Sequence, residues 1–393
     1  MIIAAVDAFP LAMPTIAEVS DGTQDTLVVR VRTDEGVEGW GECDASPLVS
    51  LAVYCCPMSH SNIISIRDTL VGERLDSPDD IRRLHRKARR QGLDIEQIDH
   101  AYSGADIALW DALGKRLGLP VWRLLGDEAA YPKLPYASVL FGDTPDETRR
   151  VAARLRNAGF RAAKFGWGPM GRYGEGFDRD LVAAARAGMG DENEIMIDAG
   201  VVWGADDETA YHRACLFAPY RPTWLEEPLS PDAIDEYGRL TARRPPVPIA
   251  AGEGSNRVRA AADLIQNGGV SFVQIDVGRI GGITAAREVV ALAKRRGATY
   301  VNHTFKSHLS IAASLHVFAG VAEFRYLEYP AAASDLARRL VKNPLAVGSD
   351  GLVRLHDAPG LGVEVDPGVV RAYLQPTRIE MGGKVLADVS AFA

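Results

Sequence analysis

The sequence predicts an α/β barrel preceded by a small antiparallel sheet. Three observations support this fold class. Apolar residues alternate near the N-terminus, short apolar strands alternate with Ala- and Arg-rich helices after about residue 133, and polar residues recur at the strand ends. Strands that alternate with helices are typical of βαβ units and of a parallel sheet. The chain of 393 residues is long enough for one large domain or two moderate ones.

The N-terminal part is predicted to form a three-stranded sheet. MIIAAVDAFPL lacks the basic start and the small-residue cleavage site of a signal peptide, so residues 1–9 are interpreted as a first strand. In TLVVRVRTDEGVEGWG, at 26–41, two alternating stretches flank a turn at Asp34-Glu35-Gly36. From about 62 to 125 the periodicity is helical, and Gly118 and Pro120 indicate the end of this helical part.

Seven successive apolar strands each close with a polar residue, 23 to 34 residues after the previous one: Lys164, Asp198, Glu226, Glu253, Asp276, His303 and Glu328. One unit of a (β/α)8 barrel of about 250 residues takes about that length, and a barrel brings the C-terminal ends of its strands into one ring. An open doubly wound sheet is the alternative. It is disfavoured because no Gly-rich phosphate loop follows the first strand, and GRIGGIT at 278–284 follows a late one.

Three neighbouring strands end in the acids Asp198, Glu226 and Glu253. In one barrel mouth their like charges would repel strongly unless they share a cation. Ligation by oxygen alone, without Cys or His, points to a hard ion, with Mg²⁺ as the first choice. The sequence therefore predicts one Mg²⁺ per subunit.

Asp276 and His303 close two further neighbouring strands. A carboxylate one strand away can accept the Nδ1–H of an imidazole, which fixes the tautomer and raises the basicity of the other ring nitrogen. An isolated histidine is more often structural, but beside a metal site this pair is predicted to be an acid–base dyad.

Composition excludes several classes of function. The net charge of −8 argues against a general nucleic-acid binder, and no apolar run is long enough to cross a bilayer. The basic stretch IRRLHRKARR at 81–90 is interpreted as an amphipathic helix with a solvated side, and the sequon at Asn302 is discounted as a buried strand end. Four cysteines without metal spacing indicate reduced thiols in a cytoplasmic protein.

The motifs together resemble the enolase superfamily, in its mandelate racemase-like subgroup of acid-sugar dehydratases. SGADIALWDALGKRLGLPVWRLLG resembles the end of that family's cap, and IDAG, WLEEP, GEG and RYLEY resemble its barrel, in order. The resemblance implies a modified TIM barrel, (β/α)7β, at residues 131–354. It also implies an α+β capping domain at 1–130, to which the segment 355–393 returns. Loops near 15–25 and 45–62 would close over the substrate, and a homo-oligomer is expected.

The resemblance also assigns roles to individual residues of the barrel. Glu226 would be the metal ligand and Glu227 would support it. Many relatives carry Lys-x-Lys here, the second lysine being a base that faces the histidine. Lys164 matches the first lysine, whereas Gly166 stands where the second is expected. Lys164 would then point at the substrate carboxylate and the metal-ligand acids, and Trp167 could occupy the space of the missing base.

The expected reaction begins with removal of the proton next to a carboxylate, by His303 oriented by Asp276. Lys164 and Glu328 would hold the developing charge, and His303 would return the proton to the departing β-hydroxyl. The product of an aldonate-type sugar acid would be a 2-keto-3-deoxy acid. Second-tier candidates for binding substrate oxygens are Arg279, Lys306, His308 and Trp167.

Three alternatives stay open at this point. A racemase, epimerase or cycloisomerase of a hydroxy acid would share the first step, but an isomerase needs a proton donor on the other face, where Gly166 stands. A non-catalytic sugar-acid-binding protein on the same fold would have no need of three clustered acids and a dyad. A metal-dependent hydrolase is less favoured because such sites usually take histidine ligands.

Overall fold

A computed structural model describes residues 1–19, 21–60 and 62–390 of the chain. Ser20 and Ser61, in the two loops expected to close over the substrate, and residues 391–393 of the C-terminal segment lie outside the described residues. Within the described part, no helix combines the length and the apolar character needed to cross a membrane. The four cysteines are unpaired.

The N-terminal part forms the predicted antiparallel sheet, with β1 (Ile3–Ala12), β2 (Asp25–Thr33) and β3 (Glu38–Cys43) in that order. A single turn of 3-10 helix, Gly22–Gln24, precedes β2. Five helices follow: α1 (Pro47–Cys55), α2 (Ile66–Leu70), α3 (Pro78–Gln91), α4 (Ile98–Leu117) and α5 (Val121–Leu124). We call residues 1–124 the cap.

Two details of the cap bear on the predictions. Helix α3 is amphipathic as predicted, because Ile81, Leu84 and Ala88 are buried on one face of the basic stretch. The segment 45–62, expected as a loop, contains α1. That helix begins at Pro47, a residue whose fixed φ suits the first helical turn, and it buries an apolar side.

Eight parallel strands form the barrel: β4 (Leu134–Leu140), β5 (Ala162–Gly166), β6 (Glu194–Asp198), β7 (Leu225–Glu226), β8 (Ile249–Ala251), β9 (Phe272–Asp276), β10 (Thr299–His303) and β11 (Tyr326–Pro330). One helix follows each of the first seven: α6 (Pro145–Asn157), α7 (Glu175–Met189), α8 (Asp207–Phe217), α9 (Ile234–Ala242), α10 (Val258–Gln266), α11 (Gly282–Arg296) and α12 (His308–Phe318). The predicted (β/α)7β architecture with an antiparallel cap sheet is confirmed.

The strand-end pattern did not reveal β4, because no ionisable residue stands at its end. The pattern is also looser than predicted. Lys164 and Glu328 lie inside their strands rather than at the last residue, and Glu253 lies two residues beyond β8.

Strands β10 and β11, the two ends of the sheet, are joined through the side chain of Asn302. Its Oδ1 accepts the backbone N–H of Glu328 at 2.9 Å, and its Nδ2 lies 3.5 Å from the carbonyl oxygen of Glu328. The amide thus stands in for a peptide group of a neighbouring strand. Asn302 is fully buried, which agrees with discounting the sequon.

The cap is fixed to the barrel where α4 meets the start of α11. Asp106 accepts the backbone N–H of Thr284 at 2.9 Å and its hydroxyl at 2.7 Å, and Trp110 Nε1 donates to the same hydroxyl at 3.0 Å. A Cβ at Gly282 would lie 2.4 Å from the Asp106 side chain, so this approach requires glycine. SGADIALWD and GRIGGIT are therefore two halves of one contact that caps α11.

The chain then returns to the cap through α13 (Asp335–Arg339), α14 (Pro367–Tyr373) and the hairpin β12 (Thr377–Met381) and β13 (Lys384–Val389). The backbone N–H of Gln375 donates to the carbonyl oxygen of Pro10 at 2.8 Å, and Arg67 donates to the carbonyl oxygen of Leu386 at 3.3 Å. Gln375 and Leu386 thus lie against β1 and α2, respectively.

His316, a buried residue of α12, connects three parts of the chain. Its Nδ1 accepts the backbone N–H of Trp122 at 3.1 Å, and its Nε2 lies 3.2 Å from the carbonyl oxygen of Leu361, to which it donates. This pair of contacts requires the neutral ring. Burial lowers the pKa of His316 to about 4.

We expect this histidine to make folding stability fall below neutral pH. An unfolded histidine titrates near 6.5, so between about pH 6.5 and pH 4 the unfolded chain binds a proton that the folded chain does not. When the pH is lowered from about 7.5 to about 5, the unfolding free energy of the wild type should fall by about 2 kcal/mol more than that of His316→Gln. Gln keeps one acceptor and one donor. Urea denaturation at both pH values is the measurement.

Val317→Ala, a change at the buried neighbour of His316 that removes no titrating group, is the control. It should lower stability at both pH values and keep the pH dependence of the wild type. Equal pH dependence of wild type and His316→Gln would contradict the assignment of a buried, neutral His316.

Candidate active site

A cavity lies at the C-terminal ends of the barrel strands, where the barrel faces the cap. Its wall comprises both polar and apolar groups: Gly22, Ser138, Val139, Leu140, Lys164, Gly166, Trp167, Asp198, Glu253, Arg279, His303 and Phe305. Six of the predicted site residues line this cavity: Lys164, Trp167, Asp198, Glu253, Arg279 and His303. The other predicted acids, Glu226, Asp276 and Glu328, are buried.

The three predicted metal ligands converge because β6, β7 and β8 are parallel neighbours. One carboxylate oxygen from each of Asp198, Glu226 and Glu253 lies within 4.8 Å of the others. Burial and the nearby Glu226 raise the pKa of Asp198 well above its ordinary value, and burial also raises that of Glu226. For Glu253, burial is outweighed by His303 and Arg279, which lower its pKa.

Two of these acids are oriented by the protein through one oxygen each. Asp198 Oδ1 accepts the backbone N–H of Gly200 at 2.8 Å, and Glu226 Oε2 accepts Trp224 Nε1 at 2.9 Å. The other oxygens, Asp198 Oδ2 and Glu226 Oε1, lie 3.7 and 2.5 Å from Nζ of Lys164. Three carboxylates, two of them held by the hydrogen bonds from Gly200 and Trp224, suit a hard divalent cation such as Mg²⁺, which takes oxygen ligands. The residues of this site thus fit the predicted metal.

Lys164 supplies a positive charge to the same cluster. Its Nζ lies 2.5 Å from Glu226 Oε1, 2.8 Å from Glu328 Oε1 and 3.7 Å from Asp198 Oδ2. Burial lowers the pKa of Lys164, but the carboxylates outweigh it and keep that pKa well above its ordinary value. A buried ammonium is stable here because anions surround it.

His303 and Asp276 form the predicted pair. Asp276 on β9 and His303 on β10 are paired in the register of the two strands, and His303 Nδ1 lies 2.7 Å from Asp276 Oδ2. Asp276 Oδ1 accepts the backbone N–H of Gly278 at 2.6 Å, which fixes the carboxylate. The Nδ1–H of His303 therefore points at Asp276 and Nε2 points into the site.

The acids around His303 hold it as a cation. Its Nε2 lies 3.1 Å from Glu253 Oε2 and 4.0 Å from Glu328 Oε2. Burial lowers the pKa of His303, but Glu253, Glu328 and the bond to Asp276 outweigh it and raise the pKa to about 10. Action as a base therefore requires that the charge of Glu253 be taken up by another partner.

Gly166 is fitted to its neighbour Asp198. A Cβ at position 166 would lie 2.7 Å from Asp198 Cβ and 2.8 Å from Asp198 Oδ2, so any side chain there would displace a predicted metal ligand. This contact gives the glycine a physical reason in this chain.

Trp167 forms the wall beside Gly166. Its backbone has φ 56°, uncommon for a bulky residue, and its N–H lies 3.3 Å from the carbonyl oxygen of Asp198. The ring lies across Gly200, where a Cβ would be 2.9 Å from it. In the ring of strands, β4 and β11 separate β5 from β10, so this wall lies on a different side of the cavity from His303. Among the described lining residues, the titratable ones are Lys164, Asp198, Glu253, Arg279 and His303.

Of the second-tier candidates, Lys306 and His308 do not line the cavity described above. The Lys306 ammonium donates to the carbonyl oxygens of Gly22 and Asp25 in the cap. The His308 ring packs edge-on against Tyr329, 5.5 Å away, at the start of α12. Both follow His303 closely in sequence, but the chain turns away from the cavity after Phe305.

Asp44 of the cap was missed by sequence reasoning. Its Oδ2 accepts a hydrogen bond from Nε of Arg279 at 3.0 Å and also lies 3.0 Å from Nη2. Nη1 of Arg279 donates to the carbonyl oxygen of Glu253 at 3.2 Å. Asp44 also lies with Asp276 and His303 in one cluster. The sequence shows only that an acid directly follows β3. Its proximity to Arg279 and His303 depends on how the cap docks on the barrel.

Comparison with known proteins matches both parts of the chain. The N-terminal domain of mandelate racemase and muconate lactonizing enzyme matches residues 2–126, and the enolase C-terminal domain-like family matches 147–369. The crystal structure of a predicted mandelate racemase from Rhodobacter sphaeroides has a TM-score of 0.95 and 44% identity, and 98% of each chain is covered.

Two enzymes of known activity are more distant. The 3,6-anhydro-alpha-L-galactonate cycloisomerase of Streptomyces coelicolor is 33% identical over 268 residues, which cover 68% of this chain and 70% of that enzyme. The L-talarate/galactarate dehydratase of Salmonella typhimurium is 29% identical, covering 90% of this chain and 85% of that enzyme.

Removing one carboxylate should weaken metal binding. In calorimetric titration, Glu253→Gln should bind Mg²⁺ at least about tenfold more weakly than wild type. Mutating a residue that only supports a metal ligand already lowers metal affinity by about tenfold or more. Glu194→Gln, the same change at the opposite end of the barrel, should bind like wild type. Equal affinity of Glu253→Gln and wild type would remove Glu253 from the metal site.

The dyad should behave as one unit. Asp276→Asn should lower kcat by about 10²–10⁴-fold, the range for positioned acid–base groups, because His303 would lose its orienting partner. His303→Asn should cost at least as much, and the double variant little more. Steady-state kinetics of all three variants test this, and losses that multiply would show that the two residues act independently.

Proposed function

This chain belongs to the mandelate racemase and muconate lactonizing enzyme family, and we propose that it removes the proton next to the carboxylate of an aldonate-type sugar acid and eliminates water. The observation that carries this proposal is the position of His303. Its Nδ1 is held by Asp276, and its Nε2 points into a cavity that is also lined by Lys164 and by Asp198 and Glu253, two of the three proposed metal ligands.

The carboxylate of the substrate would lie against Lys164. An α-proton is very weakly acidic, and its removal places negative charge on the carboxylate oxygens. A Mg²⁺ ion held by Asp198, Glu226 and Glu253 would supply Lewis-acid stabilisation of that charge and would take up the charge of Glu253. Lys164, already buried and charged, would add a fixed cation beside it.

His303 would act twice in the elimination. Its Nε2 takes the α-proton, and the electrons of the C–H bond form a C=C bond as the C–O bond to the β-hydroxyl breaks. The protonated His303 then delivers that proton to the departing oxygen, which leaves as water. The enol tautomerises to a 2-keto-3-deoxy acid. The described cavity lining supports this assignment, because it offers no second histidine, and Lys164, the lysine of the strand that carries Gly166, is ion-paired with Glu226 and Glu328.

Ring opening is the second candidate. One relative is named a cycloisomerase of an anhydro sugar acid, and an elimination in which a ring oxygen leaves would use the same single base. Racemisation fits less well, because it needs a proton donor on the second face. There the Cβ of any residue at position 166 would collide with Asp198.

A screen of sugar acids, linear and cyclic, decides among these reactions. The protein with Mg²⁺ is incubated with each acid, and the product is examined by mass spectrometry after trapping of the new keto group. Dehydration gives a product lighter by one water, whereas ring opening gives a keto product of unchanged mass. Binding by calorimetry with no turnover of any acid would instead favour a non-catalytic sugar-acid-binding protein.

The single base also sets the stereochemistry. Wild-type protein should exchange the α-hydrogen of only one C2 epimer in D2O, and should not interconvert the two, because His303 reaches one face. The leaving group should depart from that same face. Proton NMR on both epimers is the measurement, with His303→Asn as the control that exchanges neither. Exchange of both epimers by wild type would reveal a second base and favour the isomerase.

A further inference from the structure

Lys306 lies buried at the boundary between cap and barrel, three residues after His303. Its ammonium lies 2.5 Å from the carbonyl oxygen of Gly22 and 2.7 Å from that of Asp25. The carboxylates of Asp25 and Asp44 each lie 3.3 Å from the same nitrogen. All four acceptors belong to the cap, so one barrel side chain holds two separate cap segments.

The charge balance makes this contact strong. The side chain of Lys306 is only 4% exposed, and a buried ammonium is costly unless anions and hydrogen-bond acceptors surround it. Here two acids and two carbonyl groups do so. Without the ammonium, the two carboxylates would repel each other and the carbonyl oxygens would lose a charged donor.

The segment held by Lys306 forms part of the cavity wall. Gly22 lines the cavity beside Phe305, and a Cβ at Gly22 would lie 3.1 Å from the Phe305 carbonyl oxygen, so the two backbones nearly touch. Gly22 stays at this distance only if the cap segment is held against the loop after β10.

Lys306 is also connected to His303 through a chain of charged side chains. Asp44 Oδ1 faces Lys306, while Asp44 Oδ2 accepts from Arg279. Arg279 in turn contacts Glu253, which lies 3.1 Å from His303 Nε2. The cap acids are thus matched by the barrel cations Lys306 and Arg279 around the cavity mouth.

We propose that Lys306 is a positioning residue that latches residues 21–25 of the cap onto the barrel mouth and so completes the substrate cavity. Lys306 itself does not touch the substrate. Only its effect on turnover rests on the proposed function, because the latch is a property of the protein alone.

Hydrogen–deuterium exchange of the protein without substrate tests the latch directly. In Lys306→Met, peptides covering residues 21–26 should exchange at least about tenfold faster than in wild type, because several charged hydrogen bonds are lost. Lys87→Met is the matched control, since Lys87 also donates to a carbonyl oxygen and a carboxylate, but within the cap and away from the cavity. It should leave exchange at 21–26 unchanged.

A second variant covers the case in which Lys306→Met does not fold. Asp25→Asn removes one half-exposed anion from the contact and should give a smaller increase in exchange of the same peptides. Unchanged exchange at 21–26 in the folded Lys306→Met protein, or in Asp25→Asn if that protein alone folds, overturns the proposal.

Kinetics with the acid found by the screen provide the functional readout. Lys306→Met should raise KM by at least about tenfold and lower kcat less, because the wall contributes to binding of substrate and transition state alike. Lys306→Arg, which keeps a cation, should recover part of the loss in KM. An unchanged KM would contradict completion of the cavity by the latch. If no acid is turned over, the exchange experiment still decides the latch, and only the proposed function fails.

Discussion

The crowding of negative charge at one end of the barrel is the constraint on which the rest of the site depends. Two unit charges between 4 and 5 Å apart repel by roughly 4 kcal/mol at an effective dielectric constant of 20, and Asp198, Glu226 and Glu253 make three such pairs within 4.8 Å. Such a cluster persists only if cations are built in and the strands cannot spread. Lys164 and Arg279 provide the cations, and closure of the barrel through Asn302 holds the strands.

The ring of polar residues could be predicted from the sequence because its cause is local and periodic. A parallel strand followed by a helix recurs at nearly constant length, so the ends of successive strands are visible as one pattern. The first strand, β4, broke the pattern because it carries no charge at its end. Asp44 was missed, and Lys306 was named only as a candidate for binding substrate oxygens, for a different reason. Their partners lie 235 and more than 280 residues away, and only the docking of the cap brings them together.

Gly166 shows how a departure from a family pattern acquires a physical meaning. From sequence alone, the glycine indicated only that an expected lysine is missing. The structure adds that Asp198 fills the space a side chain would need, and that Trp167 takes a strained backbone conformation beside it. Strain of this kind is retained where the surroundings enforce it, commonly at functional sites. The asymmetry of the two cavity faces is thus a property of the packing around a metal-ligand acid.

The cap and the barrel divide the work of the site, yet electrostatics joins them. The barrel carries the groups proposed to do the chemistry, whereas Gly22 and Asp44 come from the cap and reach the same cavity. Because Arg279 contacts both Asp44 and Glu253, a movement of the cap that separates Asp44 from Arg279 would change the charge around Glu253 and therefore around His303. A substrate that leaves the cap open would thus meet a differently charged site. In such an arrangement, selection of the substrate by the cap and activation of the proposed base in the barrel cannot be separated.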